Sequence, residues 1–328
     1  MKYIGASLAF AATALAAART SAPSGCLTVS SSGGDYDSIQ DAVDSLSTSS
    51  SEDQCIFIDQ GTYSEQVLVD DRSAQLTFYG YTTDTASYSG NGATITSSKS
   101  QNDGLSNDET ATLRVHAANF KMYNVNVENA YGEGSQAVAL SAYADSGYYG
   151  CAFTGFQDTL LANEGYQLYS NCMIQGATDF IFGQESPAWF EACDIRVLAK
   201  SVGYITANGR QSSSGETYYV FNNCDVACAE GESCSSGTFY LGRPWGVYAR
   251  VVFQNSAMSD VINSAGWSVW NTDDERTDGV EFGEYNNSGE GAEGTRASFA
   301  ETLDSAVSIS TVLGSSYTSA GYYDGNYM

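Results

Sequence analysis

Two aspartates and two glutamines share one spacing in this chain: Gln136, Gln157 and Thr178 are each 21 residues apart, and so are Asp158 and Asp179. Two carboxyls held close together do not ionise together readily. One keeps its proton while the other stays charged, which provides an acid and a nucleophile or base within one site. Side-chain amides beside them offer N–H donors to a developing oxyanion. This chemistry requires residues 21 apart to be neighbours in space. It also carries a geometric condition: Gln157 and Asp158 are consecutive, and in a regular strand they would face opposite sides. The chain must turn or bulge there for both to reach one cleft. Polar turn residues stacked as an external ladder would give the same spacing, so spacing alone leaves both readings open.

The elements able to bring these residues together belong to a wider repeat. Asn124-Val125-Asn126-Val127, Gly150-Cys151-Ala152-Phe153, Asn171-Cys172-Met173-Ile174, Ala192-Cys193-Asp194-Ile195, Asn223-Cys224-Asp225-Val226 and Asn255-Ser256-Ala257-Met258 start 26, 21, 21, 31 and 32 residues apart. Between them lie short runs of Val, Ile, Phe, Tyr and Thr punctuated by Gly, Asn, Asp and Ser, a strand pattern rather than a helical one. A period near twenty residues, lengthened by insertions, is that of stacked solenoid coils, and β-rich coils make a parallel β-helix. At roughly 4.8 Å per coil, Cys151, Cys172 and Cys193 form one internal column within disulfide reach. A bridged pair and a ladder of reduced, buried thiols both fit that column. One helix is expected over 36–46, with Ile39, Ala42, Val43 and Leu46 on one face. That helix and the tail from residue 297 onward would cover the open ends of the stack. The stretches 81–110 and 271–295 read as insertions on a single scaffold, and no linker divides the chain.

Composition narrows the functions open to such a site. The 328 residues carry 13 Lys+Arg against 39 Asp+Glu, a net charge of −26 at pH 7. Nucleic acid and anionic membrane surfaces are excluded as partners, because neither releases counterions to a protein of its own sign. His116 is the single histidine, which removes HExxH and other multi-histidine metal sites; no metal and no cofactor are expected. Lys2 precedes an Ala-rich apolar stretch over 4–18 that ends in small residues, the pattern of a secretory signal at 1–18 ahead of one catalytic domain at 19–328. The stretch falls short of the ~20 apolar residues that a bilayer span needs. Eight cysteines fit an oxidising, extracellular destination. Asn286-Asn287-Ser288 is a sequon for N-glycosylation in a polar stretch that reads as surface loop.

Local sequence then singles out the catalytic reading. Gly61-Thr62-Tyr63-Ser64-Glu65, Gln136-Ala137-Val138-Ala139-Leu140, Gly155-Phe156-Gln157-Asp158-Thr159-Leu160, Asp179-Phe180-Ile181-Phe182-Gly183 and Leu241-Gly242-Arg243-Pro244-Trp245 occur in that order. This set resembles the five characteristic blocks of the pectin methylesterases (pectinesterases), of the secreted, single-domain microbial type. The resemblance runs from about Cys26 through Gly266-Trp267-Ser268-Val269-Trp270 to Glu284-Tyr285-Asn286. It implies a right-handed parallel β-helix, in agreement with the period. It also implies hydrolysis of galacturonate C6 methyl esters in pectin, releasing methanol and leaving pectate. Carried over by block, Asp179 is the expected nucleophile and Asp158 the acid that protonates methanol and then the base that activates water. Gln157 and Gln136 would stabilise the oxyanion, and Arg243 would hold Asp179 ionised and aimed. Trp245 would stack on a sugar ring, with Phe156 and Phe182 as further groove residues. Thr206, Asn208 and Arg210 would support the groove, and His116 would be structural.

Such catalysis needs neither histidine nor metal, since a carboxylate attacks, a carboxyl assists and amides hold the charge. The Gly-His-Gly and Arg-Ile-Lys blocks of polygalacturonases are absent, and nothing assembles the acidic calcium cage of pectate lyases. A β-helical binding protein without activity would have no use for a paired carboxylate beside two amides. The expected partner is methyl-esterified homogalacturonan, acted on by a monomer. The net charge favours highly methylated, nearly neutral pectin and a mildly acidic working pH.

Overall fold

The structure, a computed structural model, describes residues 17–328. All but the last two residues of the signal expected at 1–18 therefore lie outside the described residues. The chain winds as a right-handed parallel β-helix whose coils stack into three sheets of eleven, eight and seven strands. A typical coil contributes Ser146–Tyr149 to the first sheet, Ala152–Thr154 to the second and Leu160–Ala162 to the third. The next coil follows with Gln167–Ser170, Met173–Gly176 and Thr178–Gly183, each paired in parallel with its predecessor.

The repeat visible in the sequence marks the corner between the first two sheets. Asn124, Gly150, Asn171, Ala192, Asn223 and Asn255 all have φ between 49° and 59°. One left-handed residue turns the chain sharply from strand to strand, and Gly and Asn tolerate that conformation best. Asn286 occupies the same corner in a further coil, with φ 49°, and its Nδ2 donates to Asn255 Oδ1 at 2.9 Å. The sequon residue is thus an exposed corner of the solenoid rather than part of an irregular loop. The two expected insertions likewise prove to be coils. Residues 81–110 contain the strand Ala93–Ser97, paired with Gly61–Ser64 and Val125–Asn129, and 271–295 contain Glu281–Tyr285, paired with Arg250–Gln254. Their strands are short of apolar residues, Ala93–Ser97 being built on Ile95 amid Thr and Ser, so the alternation that betrays a strand is faint.

Inside the coils, like residues stack. Tyr148, Tyr169, Phe190, Phe221 and Phe253 form a continuous aromatic column with centroid spacings of 4.9, 4.8, 4.3 and 4.3 Å. Cys151, Cys172 and Cys193 form the column expected from the period, Cys224 extends it, and all four are buried free thiols. Cys172 Sγ donates to Tyr148 O and Cys193 Sγ to Tyr169 O, both at 3.4 Å, so each thiol is satisfied by a carbonyl of the preceding coil. Burial pushes the thiols of Cys151, Cys172 and Cys193 well above the ordinary range. The disulfides are Cys26–Cys55, at the N-terminal end, and Cys228–Cys234, which closes a small loop.

The helix is shorter than its periodicity suggests, Ile39–Ser45, because Ser38 caps it and Leu46 is already extended. Ile39, Ala42 and Val43 are buried against the first coils. Glu65, the last residue of the first sequence block, accepts hydrogen bonds from Ser38 Oγ and from the backbone N–H groups of Ile39 and Gln40, a carboxylate placed on the positive end of this helix. The start of the C-terminal tail covers the far end of the stack as expected, with Ala297, Phe299 and Ala300 packed on the core, but the rest does not. After the strand Ala300–Thr302 it runs back along the outside of the first sheet. The helix Ile309–Leu313 packs on Pro187–Glu191, Tyr149 donates to Tyr322 O at 2.5 Å, and Tyr123 donates to Asp324 Oδ2 at 2.9 Å. The cause is the outer face of that sheet, where Tyr123, Tyr149, Leu168, Trp189, Val220 and Val252 form an apolar strip that has to be covered.

Two measurements check this architecture. Without reductant, the native protein is expected to show no fast reaction with a thiol-specific disulfide reagent and to titrate four thiols once unfolded. Ala192 is the one alanine at a left-handed corner and its side chain is exposed, so Ala192→Asn is expected to raise unfolding stability by about 0.5–1 kcal/mol, read as a higher urea midpoint.

Candidate active site

The residues spaced by 21 do stack, on the border between the second and third sheets. Ala137 N donates to Gln157 O and Asp158 N to Thr178 O, both at 3.1 Å, which sets Gln136, Gln157 and Thr178 one above another. The same column continues through Tyr204 and Tyr240, which pair in register with Thr178 and with each other. The condition that Gln157 and Asp158 share one side is met by the backbone. Asp158 has φ 62° and Asp179 φ 50°, both in the left-handed region. The strand Thr178–Gly183 shifts register against Gly203–Asn208 between Thr178 and Ile181, so Asp179 sits in a bulge. A bulge bends the strand and re-aims a side chain, and non-glycine residues held left-handed concentrate at functional sites. Gly183, which ends the block, has φ 147°, and a Cβ there would lie 1.9 Å from Ala162 O, so no side chain fits.

These side chains converge on a cleft of about 270 Å³ that runs across the coils of the third sheet. Gln136, Gln157, Asp158 and Asp179 line it, with Phe182, Ala207 and Trp245 beyond them. Asp158 and Asp179 are each 7% exposed. Arg243 grips Asp179 with two parallel bonds, Nε to Oδ1 at 2.8 Å and Nη2 to Oδ2 at 2.6 Å. The guanidinium itself lies 4.0 Å from the Tyr204 ring centroid and 4.5 Å from that of Trp270, and Nη1 donates to Trp270 O at 3.3 Å.

Electrostatics separates the two carboxyls. Burial raises both. Asp158 is pushed well above the usual carboxylate range by burial and by the charge of Asp179 close by, which the more distant Arg243 only partly offsets. Asp179 is raised as well, by burial, but the two bonds and the charge of Arg243 oppose the shift directly. The proton therefore resides on Asp158 and the charge on Asp179. This asymmetric pair, with two amides stacked beside it, can supply a nucleophile, an acid and two N–H donors in one place.

The remaining expected site residues divide. Phe182 lines the cleft, its ring 6.1 Å from that of Trp245. Phe156 does not: it packs at the edge of the interior with Lys200 Nζ 5.0 Å from its ring. Thr206, Asn208 and Arg210 act in support. Thr206 Oγ1 donates to Leu241 O, Asn208 Oδ1 accepts from the backbone N–H groups of Arg210 and Arg250, and Arg210 pairs with Glu281. His116 bonds Asp108 at 3.1 Å, and the same carboxylate is held by Arg114 and Ser141, so His116 belongs to a structural network. Gln101, Asn107 and Trp270 line the cleft without having been singled out in the sequence. Gln101 and Asn107 come from a stretch read as insertion. Trp270 stands three residues after the core residue Trp267, a spacing that puts the two indoles on opposite sides of an extended segment and was the available signal.

Comparison with known proteins identifies the family. The pectinesterase family model matches residues 27–326. A pectinesterase of Aspergillus aculeatus is 54% identical over 97% of this chain and 98% of its own length. The crystal structure of the pectin methylesterase from Aspergillus niger, in deglycosylated form, superposes with a TM-score of 0.88 at 47% identity, covering 94% of this chain and all of that one. The carrot pectin methylesterase superposes with a TM-score of 0.82 at 28% identity, over 93% of this chain and 98% of its own. With a matching coil architecture, a family match over residues 27–326 and curated relatives named as pectinesterases, the chain belongs to the pectinesterase family and is a carboxylic ester hydrolase.

Proposed function

We propose that this enzyme hydrolyses galacturonate C6 methyl esters in pectin by covalent catalysis, with Asp179 as nucleophile. The reading rests above all on the asymmetry of the carboxyl pair, one gripped by Arg243 and the other buried beside it without a cation of its own. Ionised Asp179 attacks the ester carbonyl carbon, and the carbonyl oxygen becomes an oxyanion that accepts hydrogen bonds from the amides of Gln136 and Gln157. As the intermediate collapses, the C–O bond to the methoxy group breaks and Asp158 gives it a proton, so methanol leaves. Asp158, now ionised, takes a proton from water. The resulting hydroxide attacks the galacturonate carbonyl of the mixed anhydride formed with Asp179, which returns Asp179 as a carboxylate and leaves a galacturonate carboxyl on the polymer. Arg243 keeps Asp179 ionised at the start and receives it again at the end. Trp245 and Phe182 supply apolar surface for a sugar ring and the ester methyl. The leader expected at 1–18 supports a secreted enzyme. The net charge of −26 supports a preference for highly methylated stretches over pectate.

Asp179→Ala is expected to reduce methanol release from highly methylated pectin by at least about 10³-fold while pectin binding persists, and neither reducing ends nor unsaturated products should form with the wild type. Activity needs Asp179 charged and Asp158 protonated, so it should fall as pH drops through the raised value of Asp179 and again as pH rises through the higher value of Asp158. Arg243→Met removes the group that opposes the rise at Asp179, so the acid limb of the kcat profile should move to higher pH; an unmoved limb would contradict the assignment. Stability offers an independent check. A carboxyl raised in the folded state favours folding below its unfolded value, and that contribution is lost as pH rises through the folded value. Asp158→Asn should therefore raise the melting temperature at neutral pH, with the gain vanishing near pH 3, while abolishing turnover.

A further inference from the structure

Arg276 has no assigned role, yet it makes contact with both tryptophans that wall the cleft. Its guanidinium lies 4.9 Å from the Trp270 ring centroid, and its Nη1 donates to the backbone carbonyl of Trp245. Trp270 is thus flanked by two guanidiniums, those of Arg276 and Arg243. Two cations against one indole repel each other unless each is neutralised, and each is: Arg243 by Asp179, and Arg276 by Asp274, whose Oδ2 accepts from Nε and Nη2, both at 2.7 Å. The backbone is shaped to deliver the side chain there. Asn271 and Asp274 exchange backbone hydrogen bonds at 3.3 Å, Trp270 N donates to Glu275 O at 3.1 Å, and Arg276 itself is left-handed at φ 57°. A tight fold held by a strained, non-glycine residue sets an arginine over a cleft-lining tryptophan, with no other partner needing it in that conformation.

We propose that Arg276 is a positioning residue for substrate binding: it locks Trp245 and Trp270 into one rigid wall of the cleft, so that a sugar ring meets a preformed surface. The proposal rests on the reading of the cleft as the pectin site. It assigns to the 271–279 segment the task of setting apparent affinity, and leaves the attack on the ester to Asp179, still held by Arg243, whose guanidinium keeps its place against Tyr204. An arginine is required because one planar fork must satisfy a carboxylate, a carbonyl and an aromatic face together, which an ammonium does not do.

The test compares the wild type with Arg276→Met, Arg276→Lys and Arg196→Met on highly methylated pectin. Arg196, paired with Asp194 and Asp225 on the second sheet away from the cleft, controls for the loss of one positive charge from a protein that binds a polymer. Arg276→Met and Arg276→Lys should each raise KM roughly tenfold while kcat falls by less than about threefold, with Arg196→Met unchanged. Near-ultraviolet circular dichroism of the tryptophans should change in both Arg276 variants and not in Arg196→Met. An unaltered KM with an unaltered tryptophan spectrum overturns the proposal, and so does full rescue by lysine, which would reduce the effect to charge. A kcat loss as large as the KM gain also overturns it, since Arg276 would then act on Asp179. If the wild type releases no methanol, the reading of the site fails instead, whereas the tryptophan spectra still report whether Arg276 orders the wall.

Discussion

Coils stacked at strand spacing keep a common interior only if each one turns at the same place, and in seven successive coils of this protein that requirement falls on a single left-handed residue. Seven corners, from Asn124 to Asn286, meet it with Asn, Gly or, at one place, Ala. Everything that stacks follows from their alignment. Thiol lies over thiol, ring over ring, and amide over amide because the corners keep each coil in phase with the next. The same backbone state recurs at Asp158 and Asp179, outside the corner column, where it serves a different end. There it breaks the alternation of the strand and turns two carboxyls outward beside residues that regular geometry would have set on the opposite side.

Placing two carboxyls in a poorly hydrated cleft of a protein with net charge −26 is unfavourable on every count: burial, mutual repulsion and the surrounding field. Arg243 resolves this by making the pair unequal. Two short bonds to Asp179 leave Asp158 with the repulsion and little of the compensation, so a division of labour between chemically identical side chains arises from the placement of one cation. That cation is itself fixed between Trp270 and Tyr204, the latter continuing the column begun by the two glutamines. The acid, the nucleophile and the groups that set their protonation thus hang on one stacked row, and a shift of one coil against another would disturb all of them together.

The period carried most of this information because stacked coils print their corners into the sequence at fixed intervals. Asn and Gly at corners are conspicuous among strand residues, and Gln136, Gln157, Asp158 and Asp179 could be placed together before any coordinate was known. What escaped had a physical cause in each case. Ala93–Ser97 and Glu281–Tyr285 are strands with little apolar alternation, so their coils resembled insertions. Phe156 shares a block with Asp158 but packs at the edge of the interior and does not line the cleft. The tail was read as an end cap because the open edge of a stack has to be covered, and its start is one; the apolar residues beyond it have their partner on the outer face of the first sheet, whose tyrosines look like ordinary strand residues in sequence. The cysteines could not be apportioned from spacing, since a bridge and a thiol ladder need nearly the same distance; the carbonyls that satisfy the thiols belong to the preceding coil and leave no trace in the sequence.

A bare solenoid has only nearest-neighbour interfaces, so it can melt from an end one coil at a time. The returning tail removes that freedom. Tyr123 and Asp324 are 201 positions apart and bonded, and Gln75 reaches the carbonyl of Gly321 across 246 positions. Early coils are therefore fastened by residues from late in the chain, and closing so large a loop is entropically demanding and slow relative to adding one coil. The stack behaves like a spring bound lengthwise by a strap: loosening any coil beneath the strap strains its attachments to all the others, and a structure assembled piecemeal comes apart as one unit.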